Sequence, residues 1–520
     1  MPDSRPNILF IMSDDHAAQA ISAYGCGINQ TPNIDRIAAK GAILNHCYVN
    51  NSICTPSRAA ILTGTHSHVN GVITLDTPFN NHLSHVAKHL QAAGYQTSMI
   101  GKWHLGEGPE HSPTGFDHWS VLPDQGDYFD PYMIENGRHI QEMGYATEII
   151  TEKCVDQIRQ RDKDRPFFMM CHHKAPHRPW LYHPKYEHLY NEEIPYPPSF
   201  KDDYANRAKA AVHARMRVES DMTYLDLDLV QPYIPAEGQE YSDIGCKTGL
   251  MMVPFPKTPE AYRDFKLICR RTGQVFTFAN SEELKRFKYQ RYMQKYLRTV
   301  ASIDESVGHL LDLLETEGIA DNTIVIYTSD QGFFLGEHGW YDKRFIYEES
   351  FRMPFLVQYP QRIRKGITVN AMASNVDFAP TWLDYAGVPV PSYMQGYSLR
   401  CVLEGDEPAS WQKTAYHRYW MNQDCNHNAY AHYGIRDHRY KLIYWYNEPM
   451  NLPGATAATF AEKDWELFDL QEDPLELNNC FHDQDKKDVV IHMLRLLDEK
   501  QTQIGDVPAH DSRTVLAMLG

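Results

Sequence analysis

Cys54-Thr55-Pro56-Ser57-Arg58 sets a thiol four residues ahead of a guanidinium, and Ala59-Ala60-Ile61-Leu62-Thr63-Gly64 continues it as the start of a helix. The loop is then expected at a helix N-terminus, where free N–H groups and aligned peptide dipoles favour an anionic ligand. Two acidic turns carry a second kind of chemistry. Asp14-Asp15 follows the apolar run Asn7-Ile8-Leu9-Phe10-Ile11-Met12, and Asp330-Gln331 follows Thr323-Ile324-Val325-Ile326-Tyr327. All four residues offer oxygen. As a set they suit a hard divalent cation such as calcium, or magnesium, better than zinc, which favours nitrogen and sulfur. Any one such pair alone reads as a helix cap or a solvated turn.

Positioning these residues requires a particular kind of framework. The runs at 7–12, 166–171 and 323–327 are short and mostly apolar, as strands buried on both faces of a parallel sheet are, and 96–100 reads as another strand. Each ends beside polar residues, and ligands bind at the carboxyl edge of such sheets. Tyr292, Tyr296, Val300, Ile303, Val307, Leu310 and Leu314 recur at spacings of three and four, which predicts a helix over about 285–317 closed by Gly318. A shorter helix is expected over 32–41. The fold class expected is α/β, with a mostly parallel central sheet flanked by helices. After about residue 399 the pattern turns to short strands at 414–420, 429–436, 440–446 and 465–470, then a helix over 488–503, expected to form a small antiparallel sheet with a terminal helix. This divides the chain into 1–400 and a C-terminal subdomain, 401–520, closing the substrate pocket. Within the first, 221–280 loses periodicity and is expected to be an insertion at the rim.

The segment from Cys54 to Gly64 resembles the signature of type I sulfatases of the alkaline phosphatase superfamily. Pro6-Asn7-Ile8, Gly101-Lys102-Trp103-His104 and Asp330-Gln331-Gly332 resemble further family motifs in family order. The resemblance implies an alkaline-phosphatase-like fold and hydrolysis of sulfate esters. It also implies that Cys54 is oxidised to formylglycine by a separate formylglycine-generating enzyme, and that Asp14, Asp15, Asp330, Gln331 and the modified residue 54 bind Ca2+. Gln331 departs from the more usual asparagine or histidine. Position by position, the resemblance places Arg58, Lys102, His104, His177 (in Pro-His-Arg-Pro) and Lys343 (four before Tyr347-Glu348) around the sulfate. They supply cations for its nonbridging oxygens and proton carriers for the leaving oxygen. His172 and His173 are expected to support this set.

Gly332-Phe333-Phe334-Leu335-Gly336-Glu337-His338-Gly339-Trp340 and Tyr341-Asp342-Lys343-Arg344-Phe345 resemble the N-acetylglucosamine-6-sulfatase-like branch. That implies a sulfated carbohydrate substrate, a 6-O-sulfated glucosamine of glycosaminoglycan or mucin-type glycans. Alternation along the chain would turn Asp342 and Arg344 away from Lys343 to grip sugar hydroxyls. His417 is expected at the pocket rim, or else as a strand histidine pairing across the small sheet. The alternative activities are hydrolysis of another sulfated sugar or aryl sulfate, or of a phosphonate or phosphate monoester.

The remaining numbers exclude more than they assign. Fifty basic against 67 acidic residues give a net charge of −17 over 520 residues, which argues against nucleic acid and anionic membranes as partners. No apolar stretch reaches the roughly 18 residues a membrane helix needs. Ten cysteines without paired spacing are read as reduced thiols. With no signal sequence in the chain as given, a cytoplasmic location is expected unless a leader has been removed.

Overall fold

The computed structural model describes residues 5–230, 256, 258–456 and 462–506. Its centre is a ten-stranded sheet. In chain order the strands are β1 (Asn7–Ser13), β2 (Ala42–Leu44), β3 (Gln96–Lys102), β4 (His118–Leu122), β5 (Tyr132–Glu135), β6 (Arg138–Gln141), β7 (Phe167–His172), β8 (Thr323–Ser329), β9 (Phe355–Gln358) and β10 (Ile367–Val369). Their spatial order is β10-β2-β9-β8-β1-β7-β3-β4-β5-β6. The five strands from β8 to β4 run parallel, with antiparallel strands on both flanks.

The apolar runs are buried on both faces because each face meets its own layer. In β1, Ile8, Phe10 and Met12 enter one cluster, while Leu9 and Ile11 enter the other. The first face is covered by α2 (Cys54–Thr63) and by a helix at Phe378–Tyr385, whose Trp382 stacks edge-on against Phe10 at 4.7 Å. The second is covered by α1 (Pro32–Lys40), α3 (Ala146–Gln160) and α4 (Ser281–Thr316). Helix α4 starts earlier than its apolar stripe suggests, because the Asn280 side chain accepts from the Glu283 N–H at 3.0 Å and caps it. Its first half packs on residues of the expected insertion, among them Leu227, Leu229 and Leu267. Residues 231–255 and 257 of that insertion lie outside the described residues.

Near the C-terminus β11 (Ala415–Tyr419), β12 (His432–Arg436), β13 (Tyr440–Trp445) and β14 (Asp464–Asp469) form an antiparallel sheet. Leu442 and Leu467 pack one face against α5 (Lys487–Ile504). The other face, through Tyr419, Ile443, Trp445 and Phe468, joins the core of the large sheet. Residues 507–520 of the expected subdomain lie outside the described residues. Among those described, no helix is long and apolar enough to cross a membrane.

Candidate active site

Parallel pairing brings the acidic turns together. Ser13 is level with Ser329 in the β1/β8 register, so Asp14-Asp15 and Asp330-Gln331 leave the sheet side by side. Carboxylate oxygens of Asp14, Asp15 and Asp330 lie within 4.8 Å of one another, all fully buried. Asp15 has φ 65°, a left-handed conformation costing a non-glycine residue on the order of 1–3 kcal/mol. Two contacts hold it there: its N–H donates to Asp330 Oδ1 at 3.2 Å, and its carbonyl accepts from the Tyr296 hydroxyl of α4 at 2.7 Å. After Gln331 only glycine fits, since a Cβ at Gly332 would lie 2.1 Å from the Glu349 carbonyl oxygen.

Cys54 is the first residue of α2, five residues ahead of the start expected from the alanines. Its Sγ lies 3.5 Å from Asp14 Oδ1 and 3.9 Å from Gln331 Nε2. Burial, reinforced by Asp14, pushes the thiol up, so an unmodified Cys54 is a protonated and poor nucleophile. One turn on, Arg58 donates from Nε and Nη2 to Asp330 Oδ2 at 3.1 and 3.0 Å, and from Nη1 to the Lys102 carbonyl at 2.8 Å. Ser57 anchors the helix start by donating to the Asp330 carbonyl and accepting from Asn375 Nδ2.

Lys102, the last residue of β3, donates to Asp14 Oδ2 and to Gln125 Oε1. Lys343 Nζ spans both Asp15 oxygens at 2.6 and 2.7 Å. These cations do not compensate the acids evenly. Burial opposes ionisation of Asp14, but Lys102, His177 and Arg58 hold it well below the usual range. Burial pushes Asp15 up to about 7 against the pull of Lys343, and it raises Asp330 with Asp14 adding to the effect. Gln331 Oε1 is buried and has no hydrogen-bond donor. Three converging carboxylates and an amide oxygen without a donor are an all-oxygen set that fits a hard, oxygen-seeking cation.

Two histidines flank this centre. His177 Nε2 is 3.8 Å from Asp15 Oδ2, and its Nδ1 is 2.8 Å from the Arg178 carbonyl oxygen. A carbonyl only accepts, so Nδ1 carries the proton and Nε2 keeps its lone pair on the site side. Burial, with Lys102 nearby, holds His177 well below the ordinary imidazole range. His104, at φ 54°, has Nε2 3.1 Å from Gln125 Nε2 and 3.5 Å from Asp124 Oδ1. Burial, again with Lys102, brings it down to about 4. His172 lies against Arg58 and the Lys102 carbonyl, whereas His173 turns away to Ser306 on α4.

A second cluster begins one residue either side of Lys343. Strand alternation does not account for it, because the strand at Tyr341–Asp342 ends there. The reversal comes instead from left-handed backbone at Asp342 (φ 78°) and Arg344 (φ 96°). Lys343 faces Asp15, while Asp342 Oδ2 lies 3.3 Å from Arg178 Nη2 and 3.3 Å from His427 Nε2. Arg344 donates from Nη1 to the Tyr419 hydroxyl at 3.2 Å. Asp342 Oδ2 and Arg344 Nε are both buried without a well-formed hydrogen bond and are held by ion pairs instead, Arg344 Nε lying 3.3 Å from Asp342 Oδ1.

His417 is not at the rim. It is fully buried, its Nε2 lies 3.0 Å from both the N–H and the Oγ of Ser52, and its ring stacks on His432 at 5.2 Å. It faces inward because this side of β11 packs on the large-sheet core, and it steadies the loop entering Cys54. His417→Ala leaves the buried Ser52 N–H unmatched and is expected to cost about 1–3 kcal/mol. A lowered denaturant midpoint checks this; an unchanged midpoint would mean the contact carries no stability.

Gln125, Asp424 and His427 join the site without any motif to announce them, and Arg178 joins it from within the Pro-His-Arg-Pro motif that marked only His177. Gln125 bridges Lys102 and His104, and Asp424 accepts from His427 Nδ1 at 2.9 Å.

The sulfatase family profile matches residues 6–388, and a profile for the C-terminal region of N-sulphoglucosamine sulphohydrolase matches 336–503. The chain belongs to the sulfatase family and is a sulfuric ester hydrolase. It is 44% identical to an N-acetylglucosamine-6-O-sulfatase of Bacteroides thetaiotaomicron, over 98% of this chain and 89% of the relative. A solved structure of an enzyme with its substrate D-glucosamine-2-N,6-O-disulfate superposes with TM-score 0.82 at 44% identity, covering 96% of this chain and 98% of the other. The phosphonate monoester hydrolase of Agrobacterium radiobacter shares the fold at TM-score 0.67 and 19% identity, over 96% of each chain.

Proposed function

We propose that the protein removes the 6-O-sulfate from a terminal N-acetylglucosamine or glucosamine of a sulfated glycan. The observation that carries this reading is the buried group of Asp342, Arg344 and His427 beside Lys343, in which Asp342 Oδ2 and Arg344 Nε are held by ion pairs without a well-formed hydrogen bond. Sulfate binding and sugar binding are thereby separated by one residue of chain. A relative so similar over nearly the whole length, named for this sugar and this position, supports the same substrate.

Asp14, Asp15, Asp330 and Gln331 would hold Ca2+, and Cys54 would be matured to formylglycine by a formylglycine-generating enzyme. When present, the ion supplies Lewis acidity and the hydrated aldehyde supplies a nucleophilic oxygen. The chain's own side chains do the rest. Arg58 keeps Asp330 oriented through two hydrogen bonds to one oxygen. Lys102 and Lys343, which reach the site from opposite sides of the acidic cluster, donate to the nonbridging sulfate oxygens. His177, fixed by its Nδ1–H, takes up a proton at Nε2 as the anionic sulfate offsets the surrounding cations, and delivers it to the departing sugar oxygen. His104 is the neutral base that accepts a proton from the residue-54 side when sulfate is released. In this reading residues 1–400 carry the chemistry, and residues 401–520 close the sugar pocket with Tyr419, Asp424 and His427.

The test is sulfate release from N-acetylglucosamine-6-sulfate by protein co-expressed with the maturation enzyme. Release is expected there, with little from sugars sulfated elsewhere. Cleavage of an aryl sulfate alone would end the glucosamine reading. Asp342→Ala is expected to cut kcat/KM on the sugar by roughly a hundredfold and to cost far less on a small aryl sulfate. Equal losses on both would remove Asp342 from sugar recognition.

A further inference from the structure

Arg178 follows His177 directly, yet its guanidinium reaches the second cluster. Nη2 lies 3.0 Å from His427 Nε2 and 3.3 Å from Asp342 Oδ2, and those two atoms are themselves 3.3 Å apart. Guanidinium nitrogens only donate, so the nitrogen of His427 that faces Arg178 is the bare one. Its other nitrogen then carries the proton, which it donates to Asp424 Oδ1 at 2.9 Å. Two acceptors, Nε2 and Oδ2, would repel at this separation. The cation between them is what lets them stand together.

Arg178 is not free to act as a separate anion receptor. Its Nε lies 4.0 Å from Asp226 Oδ1, its guanidinium carbon lies 5.9 Å from the centre of the Tyr341 ring, and it is largely buried. Its charge is committed to the carboxylates around it, with burial opposing and Asp342 and Asp226 outweighing that opposition to keep it ionised.

We infer that Arg178 is a positioning residue that fixes Asp342 as an acceptor for a sugar hydroxyl, locks the ring of His427 beside it, and ties both, through one peptide, to His177. The inference rests on the glucosamine reading for its substrate but not for its geometry. One consequence is that sugar recognition and leaving-group protonation share a single short segment. A sugar that seats correctly on Asp342 brings its sulfated arm into register with His177.

The experiment compares Arg178→Gln and Arg178→Lys in the matured enzyme, with KM and kcat measured on N-acetylglucosamine-6-sulfate and on an aryl sulfate, and melting temperature as a check on folding. Arg178→Gln is expected to raise KM on the sugar roughly thirtyfold and to lose far less on the aryl sulfate. Arg178→Lys keeps the charge but lacks the fork, so it should recover part of that loss. Equal losses on both substrates, or an Arg178→Lys enzyme identical to the parent on both, would overturn the assignment; if Arg178→Gln does not fold, Arg178→Lys alone decides. If the parent cleaves only a different sulfated sugar, the glucosamine reading fails by itself, and the same comparison on that sugar still decides the role of Arg178.

Discussion

Cys54→Ala is expected to lower kcat by roughly 10⁵-fold or more on every substrate, sugar or aryl sulfate, while the protein stays folded. The size follows from losing a nucleophile whose neighbours remain arranged around it; such groups act as a unit, and removing one forfeits nearly the whole of their effect. The fold should tolerate the change. Cys54 makes only long, weak sulfur contacts, 3.5 Å to Asp14 and 3.9 Å to Gln331, whereas the start of α2 is anchored by Ser57 and Arg58. The measurement is single-substrate kinetics beside a melting curve, with intact mass reporting whether residue 54 is converted in the parent. A Cys54→Ala enzyme retaining more than a hundredth of the parent's activity would place the nucleophile elsewhere. A parent whose residue 54 is unconverted and yet fully active would do the same, because burial keeps the thiol protonated.

Removal of divalent metal is expected to have the second largest effect, and it has a readout independent of turnover. Asp14, Asp15 and Asp330 crowd together in a water-poor site where burial pushes Asp15 up to about 7. An ion that binds the folded chain and not the unfolded one stabilises it by about 2.7 kcal/mol at a hundredfold excess over Kd. Calcium added to chelated protein should therefore raise the melting temperature and restore activity together. Asp330→Asn removes a carboxylate and leaves Arg58 without its anion, so both responses should be largely lost. If calcium shifts the melting temperature of Asp330→Asn as much as that of the parent, the ion binds somewhere else. A larger shift with magnesium than with calcium would reassign the metal and leave the ligand set standing.

Much of this enzyme is legible in one dimension because the information is local. A run such as Asn7 to Met12, apolar on both sides of its pleat, can only be buried between two layers, and the parallel sheet follows from several such runs. Asp14-Asp15, Asp330-Gln331, Cys54 through Arg58, and Gly101 through His104 each keep their residues adjacent in sequence, so the chemistry of each piece is readable before the chain is folded. Parallel register then does the assembly, since Ser13 and Ser329 fall level and set the two acidic turns side by side.

What the tertiary structure alone decided is of another kind. His417 reads in sequence as a rim residue or as a strand histidine pairing across the small sheet, and only the packing of β11 on the large core turns it inward to His432 and Ser52. Asp342 and Arg344 turn away from Lys343 as their spacing predicts, but the route, left-handed backbone at φ 78° and 96°, is one that no residue-type pattern encodes. Gln125 and His427 belong to unremarkable segments, and Arg178 to a motif noticed only for its histidine. They become part of the site because loops distant in sequence close over it, where a donor such as Arg178 dictates which nitrogen of His427 is bare. Residue type sets what a side chain can donate or accept. Only three-dimensional proximity, in a buried setting where each unmatched donor or acceptor costs energy, settles which of those options is used.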